Sequence, residues 1–274
     1  MDSGLRFRID DLRRFASALG VGAGLVPTRA AALAAQLLWF DSAGFPACGL
    51  ATLPDWLRRI ESGEVNPHAE GRVQSEHAGT AVLDGQRGLQ PLILARAAAI
   101  AGEKARDVGT AVVRVTNLGP AGPAAAVAAE MAIGPEIGWI VGPGPSWSLA
   151  LPSAEGLPVV FESAWSGSSP TGSPPESLAK MVAPWPSLAT EDEWVIGAVA
   201  VAALEPLSAF HERVSAALQG QDGHPGLLLP NRWEAHRSHA REHGVAIRRD
   251  LMADLSRWAE RLRITTELPA ALDK

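Results

Sequence analysis

Between Thr80 and Val141 the chain alternates short β-branched runs with long alanine-rich segments, and this alternation constrains the fold more than any other feature. Thr80-Ala81-Val82-Leu83 leads into a helical stretch over residues 89–108, followed by a strand over 110–115, a helix over 121–132 and a strand over 137–141. Strands separated by helices long enough to cross back over them predict an α/β fold with a sheet covered by helices. The Asp84-Gly85 pair after the first strand is a turn signal, and residues 72–84 read as a strand pair around His77-Ala78-Gly79.

The flanks read differently. Residues 8–20 carry Asp10 and Asp11 early, apolar side chains at Ile9, Leu12, Phe15, Ala16 and Leu19, and a closing Gly20, as an amphipathic helix requires. Pro27 opens a second helix to Phe40 that is apolar around most of its circumference, and residues 51–60 form a third that ends near Gly63. From Gly142 to Pro186 the composition shifts to Gly, Ser, Pro and Trp, broken only by Leu157-Pro158-Val159-Val160-Phe161, so this is the least regular part of the chain. Residues 193–204 return to strand character, 206–219 to a helix, 221–230 to a turn and short strand, and 249–262 to a last amphipathic helix. The expected organisation is a helical part over 1–70 packing with a strand-helix part over 187–274, and a cofactor-domain-like part over 71–186.

Composition excludes several functions. The formal charge of −6, with no basic stripe, argues against nucleic-acid binding. The longest apolar run, residues 195–204, is ten residues, whereas a membrane span needs about 20. A lone cysteine, Cys48, and no leader-like start favour a reducing, cytoplasmic setting. With 21 Arg and three Lys, lysine chemistry has only Lys104, Lys180 and Lys274 to draw on.

Motifs give little by themselves. Gly20-Val21-Gly22-Ala23-Gly24 follows a helix instead of a strand, the wrong context for cradling a pyrophosphate. His236, His239 and His243 share one face of a helix beside Glu242, but Arg232, Arg237 and Arg241 would repel a cation, so no metal is expected. Glu76 and His77 offer an acid-base pair or a solvated turn, with the turn favoured. His68 and His224 each flank a proline and carry little signal. Cys48 has no base or positive charge beside it in sequence to make a thiolate, which favours packing over nucleophilic chemistry.

Phe40-Asp41-Ser42-Ala43-Gly44-Phe45-Pro46-Ala47-Cys48-Gly49-Leu50, running on to Trp56 and Ile60-Glu61-Ser62-Gly63, resembles a segment of the malate/L-lactate dehydrogenase family. That family includes ureidoglycolate and sulfolactate dehydrogenases and cyclic-imine reductases, which use NAD(P) on a fold unlike the Rossmann fold. Its pattern is Asp, two residues, Gly, then Ser-His-Gly, a helix bearing Arg and Tyr, and a closing Gly; Asp41, Gly44 and Gly49 match. Thr80 to Gly85, Val112 to Gly122, Pro158-Val159-Val160-Phe161-Glu162-Ser163-Ala164, and Gly197 to Ile264 with its Gly244-Val245-Ala246-Ile247 resemble further pieces of the family. The resemblance implies a non-Rossmann α/β fold of the malate/L-lactate dehydrogenase type, a mixed sheet covered by helices, with the central substrate and cofactor region reduced.

The departures fall on the chemistry. Cys48 stands at the family histidine and Ala47 at its serine; Thr52 and Trp56 stand at the substrate-binding Arg and Tyr. Asn117 replaces the second histidine, and an amide supplies no proton near neutral pH. The family's Gly-Thr-Asn-Pro stretch should fall between Pro145 and Pro152, and its substrate region with a Lys-Gly pair between Ser166 and Glu193; both are shortened, and no Lys-Gly pair is present. The resemblance thus implies a non-catalytic or repurposed homologue, acting as a binding, structural or regulatory protein, with a vestigial site at Cys48, Asn117, Thr52 and Trp56. The alternative is an NAD(P)H-dependent oxidoreductase acting on a small keto acid or imine, with Asn117, Gly119 and Glu162 as candidate cofactor-binding residues and Asp41, Asp84 and Glu162 as candidate site carboxylates. In that alternative Asn117 orients the substrate and Glu162 or another acid delivers the proton. The resemblance further implies a homodimer, with a protein partner, an intact relative or an unrelated enzyme, as the other option.

Overall fold

A computed structural model describes residues 4–118, 122–143, 146–163, 193–221, 224 and 226–272. The chain divides into two units: Met1–His68 with Glu234–Lys274, and Ala69–Trp233. The first boundary lies between His68 and Ala69. The second lies well past residue 187, because the strand over 194–200 is hydrogen-bonded into the middle of the second unit's sheet.

That unit is built on a sheet whose strands are β2 (Arg72–Glu76), β3 (Thr80–Asp84), β4 (Thr110–Thr116), β5 (Glu136–Val141), β6 (Trp147–Leu151), β7 (Val159–Glu162), β8 (Trp194–Ala200) and β9 (Leu227–Leu228). They lie in the order β2-β3-β4-β8-β5-β6-β7-β9, with β3 and β4 parallel and every other pair antiparallel. The parallel pair needs a crossover, and helix α4 (Gln90–Val108) supplies it. Pro91 sits in its first turn and Gly109, at φ 92°, ends it. Its buried residues Ile93, Leu94, Ala97, Ala98, Ala101 and Ala105 recur at helical spacing, and the small ones bring the helix close onto β4 and β8.

Strand β5 is buried at every position, so both faces of the sheet are covered there. On one face Ile137, Trp139, Val141, Leu149, Phe161 and Val195 pack with Phe210 and Val214 of helix α6 (Leu207–Ala217). On the other, helix α5 (Ala125–Met131) lies over β5, β6 and β7, and Gly138 leaves room for Met131. Two tryptophans take their space from missing side chains on neighbouring segments. Gly197 of β8 pairs with Trp139 of β5, and a Cβ there would overlap the indole; Gly142 yields in the same way to Trp194.

The first unit is helical apart from one short ribbon. Helices α1 (Ile9–Gly22) and α2 (Pro27–Ser42) pack together through Leu12, Phe15, Leu19, Leu33 and Leu37. Helix α3 (Leu53–Glu61) buries Leu53, Trp56, Leu57 and Ile60 and packs with α8 (Arg249–Arg261). Strands β1 (Leu5–Phe7) and β10 (Val245–Ile247) pair antiparallel. Gly244, at φ 72°, turns the chain between α7 (Pro230–His243) and β10.

Strand β6 lies inside the stretch the sequence marks as irregular. Between Pro145 and Pro152, where the family's Gly-Thr-Asn-Pro stretch is expected in shortened form, the chain forms this strand and pairs it with β5 and β7. The other expected shortening, between Ser166 and Glu193, lies almost wholly outside the described residues. Strand β8 also ends earlier than expected, at Ala200, and continues as a 3₁₀ turn over Val201–Ala203.

Gly197→Ala is expected to destabilise the protein by about 3 kcal/mol or more, because the indole of Trp139 has no room to withdraw. Gly102→Ala, in the middle of α4 where only the Arg106 guanidinium is near at 3.5 Å, should instead gain up to about 1 kcal/mol. Urea unfolding midpoints of the two variants check both signs.

Candidate functional site

In the first unit the family-like segment is a closed loop organised by one carboxylate. Asp41, near the end of α2, accepts the Leu50 backbone N–H on Oδ2 at 2.8 Å. Between them the backbone turns repeatedly: Gly44 N–H donates to Asp41 O, Cys48 N–H to Phe45 O at 2.9 Å and Thr52 N–H to Gly49 O at 2.9 Å. Gly49 lies against the Asp41 carboxylate, where a Cβ would collide with it. Gly44, at φ 91°, has the His236 ring 3.0 Å from where its Cβ would be. The three matching residues of the pattern therefore have local reasons: Asp41 ties the loop, Gly49 makes room for it, and Gly44 makes the turn beside His236.

The positions expected to carry reactive groups are used by the fold. Cys48 is 2% exposed and Trp56 8%, and Thr52 Oγ1 donates to Gly49 O at 2.9 Å. Burial of Cys48 supports packing over nucleophilic chemistry. Desolvation pushes the Asp41 carboxyl up to about 7, against the opposing hydrogen bond from Leu50.

Asn117 lies in the second unit, just past the end of β4. Its φ of 48° is a left-handed conformation that Asn tolerates, and its Nδ2 donates to Asp84 Oδ1 at 3.0 Å. The same oxygen accepts the Gln86 N–H at 2.9 Å, and these two hydrogen bonds hold the Asp84 carboxyl below the usual carboxylate range. Only one amide hydrogen of Asn117 is used this way; its amide oxygen and second hydrogen have no partner among the described residues. Gly119 lies outside the described residues. Gln90, 1% exposed, donates to Gly122 O at 3.4 Å and tethers the far end of the loop after Asn117 to α4.

Glu162 is fully buried at the end of β7. Its Oε2 accepts the N–H groups of Ala124 at 2.9 Å and Ala125 at 3.1 Å and the Ser148 hydroxyl at 2.6 Å. A carboxylate that takes three donors and meets no solvent joins β6, β7 and the start of α5. Its side chain is closed off from solvent. The sequence flags Glu162 but not Ser148, and a serine in an otherwise apolar strand is the signal that could have found it.

The remaining candidates separate into structural parts. Lys104 Nζ donates to His77 O at 2.7 Å and lies 2.9 Å from Glu76, so it pins the β2–β3 turn, where the His77 side chain is exposed. His224 Nδ1 accepts the Gly226 N–H at 3.1 Å. His239 and His243 stack edge to face at 4.7 Å, and no group of three metal-ligating side chains converges among the described residues. No helix among them is long and apolar enough to cross a membrane.

The raised Asp41 pKa has a defined pH signature. Its folded value lies above its ordinary 3.8, so the stability it contributes is fully present below pH 3.8 and is lost as the pH rises through about 7. The difference in unfolding free energy between the native protein and Asp41→Asn should shift across this window with a slope of at most about 1.4 kcal/mol per pH unit. Urea unfolding of both proteins from pH 4.5 to 8 measures it, and a flat difference contradicts the assignment.

A model of the malate/L-lactate dehydrogenase family matches residues 7–166. Over 77 residues the chain is 32% identical to the L-sulfolactate dehydrogenase of Methanocaldococcus jannaschii, a stretch that is 28% of this chain and 22% of that protein. Among solved structures, malate dehydrogenase from Pyrococcus horikoshii has a TM-score of 0.77 at 20% identity, covering 96% of this chain and 97% of that one. Sulfolactate dehydrogenase from Methanocaldococcus jannaschii gives 0.73 at 16%, covering 94% and 98%. The Δ1-piperideine-2-carboxylate reductase from Pseudomonas syringae pathovar tomato gives 0.72 at 18%, covering 93% and 99%. The structural likenesses establish the fold, and the sequence match over more than half of the residues establishes that this chain belongs to the malate/L-lactate dehydrogenase family.

Proposed function

We propose that the protein is an NAD(P)H-dependent oxidoreductase with an altered site, reducing a small cyclic imine in preference to a keto acid. The observation that carries this reading is the family match over residues 7–166. A bound nicotinamide cofactor supplies the hydride in such chemistry. Asn117 fits a ligand-facing role, since it is exposed and keeps an amide oxygen and one amide hydrogen to offer, whereas Glu162 does not, being spent on Ala124, Ala125 and Ser148. The choice between imine and keto acid follows from the proton. Reducing a keto group needs a proton delivered to oxygen, and an amide cannot deliver one. A cyclic iminium already carries its proton from solvent, so an orienting group suffices.

A non-catalytic, repurposed homologue is the second reading. It is favoured by the internal use of three positions that carry reactive or binding groups in the family: Cys48 and Trp56 are buried, and the Thr52 hydroxyl bonds to the Gly49 carbonyl. A homodimer belongs to either reading, and sedimentation velocity tests it.

One experiment separates the two. Purified protein is supplied with NADH or NADPH and a panel of cyclic imines and 2-keto acids, and nicotinamide absorbance is followed. Turnover of imines above keto acids is expected, and Asn117→His should raise the keto-acid rate by about 100-fold by restoring a proton donor. No oxidation with any substrate, together with no calorimetric heat from either cofactor, rejects the oxidoreductase reading in favour of the second.

A further inference from the structure

The turn joining β3 to α4 is held in a conformation its residues resist. Gly88 N–H donates to Gly85 O at 2.8 Å, closing a turn whose central residues, Gln86 and Arg87, have φ of 53° and 54°. Left-handed backbone at both central positions suits Asn and Gly; in Gln and Arg the Cβ crowds the following carbonyl. Asn117 is left-handed as well, so three of the four non-glycine residues with positive φ among those described stand together. They lie at the carboxyl ends of the parallel pair β3–β4, the edge at which open α/β sheets bind ligands.

The surroundings fix this arrangement from several sides. Arg87 N–H donates to Asn117 O at 2.8 Å and Gly85 N–H to Thr116 O at 2.8 Å, while Asp84 Oδ1 takes both Gln86 N–H and Asn117 Nδ2. The other oxygen of Asp84 has Arg72 at 3.8 Å. The acid nearest in sequence is thereby engaged, and Arg87, which is exposed, pairs with no carboxylate among the described residues. Strain of this kind persists where a side chain is kept for a purpose other than folding, since Asn-Gly at the same two positions would remove it.

We propose that Arg87 and the amide of Asn117 form a subsite for an oxyanion, a carboxylate or a phosphate, on the ligand bound at the carboxyl end of β3–β4. The guanidinium offers a planar pair of donors matched to either group, and Asn117 adds an amide hydrogen beside it. The identity of the ligand rests on the oxidoreductase reading, which supplies two sources: the carboxylate of an imino or keto acid, and a phosphate of the nicotinamide cofactor.

Calorimetric titration of the full chain with oxalate, inorganic pyrophosphate, NADH and NADPH tests the subsite in native protein, in Arg87→Gln and in a Gln86→Asn, Arg87→Gly double variant. Arg87→Gln should weaken anion binding roughly tenfold or more. A loss confined to oxalate assigns the carboxylate, and one confined to pyrophosphate and NADPH assigns the phosphate. The double variant should lose the same anion yet melt higher by roughly 2–4 °C, because the turn is relieved. Unchanged affinities in Arg87→Gln, no binding of any of the four by native protein, or a lower melting temperature in the double variant overturns the proposal. Arg87-dependent binding of oxalate or pyrophosphate with no binding of either nucleotide leaves the subsite standing and removes the oxidoreductase reading instead.

Discussion

Strand β8 sits between β4 and β5, hydrogen-bonded to both, and the second unit's sheet has no continuity without it. The parallel crossover from β3 through α4 to β4 builds one half of the sheet from neighbouring sequence, and β5, β6 and β7 build the other. A strand from much later in the chain joins the halves, which makes the central pairing non-local and costly in loop entropy. Covered on both faces, β8 can vary little, and its one glycine is set against the largest ring of the neighbouring strand. Trp139 over Gly197 and Trp194 over Gly142 are two instances of the same exchange, in which close packing is kept by pairing an indole with a missing side chain. The exchange ties β8 to β5, and β4, the strand that ends just before Asn117, pairs along the other edge of β8.

Residue periodicity made α1, α2, α4 and β4 legible from the chain itself, since each shows its buried face at the spacing its geometry demands. Strand β6 was hidden because Trp147-Ser148-Leu149-Ala150-Leu151 lies among glycines and prolines and carries a serine inward. That serine is inward because it donates to Glu162, a partner no local pattern can reveal. The β1–β10 ribbon escaped for another reason: Leu5–Phe7 and Val245–Ile247 are far apart along the chain and pair only because the fold brings them together. Around Cys48 the sequence located the loop through Asp41, Gly44 and Gly49 and favoured packing for Cys48, yet it could not say that Asp41 closes the loop by taking the Leu50 N–H. The strained Gln86–Arg87 turn was the least visible, because left-handed backbone at residues that do not favour it leaves no mark in the sequence.

The carboxylates reached by these observations share one use. Asp41 holds Leu50, Asp84 holds Gln86 and Asn117, and Glu162 holds Ala124, Ala125 and Ser148. Each takes a backbone N–H, and each sits at a joint between an element and the loop that follows or faces it. Acids employed this way act as hydrogen-bond acceptors that fix the backbone at these joints.

Asp41 is the instructive case. A carboxyl pushed up to about 7 has the proton affinity expected of an acid catalyst at neutral pH. Affinity alone does not make one, because a catalyst must also reach the reacting atom, and here the backbone at Gly49 lies against the carboxylate while Leu50 donates to it. The Leu50 N–H and the close approach of Gly49 engage the carboxylate within the loop, so the shift belongs to the loop's stability. In the proposed subsite the second unit offers a ligand a different kind of group, the orienting amide of Asn117 and the guanidinium of Arg87, and an amide supplies no proton. In the proposed oxidoreductase, chemistry at such a site depends on a substrate that brings its own proton, which is the physical reason for proposing an iminium over a ketone.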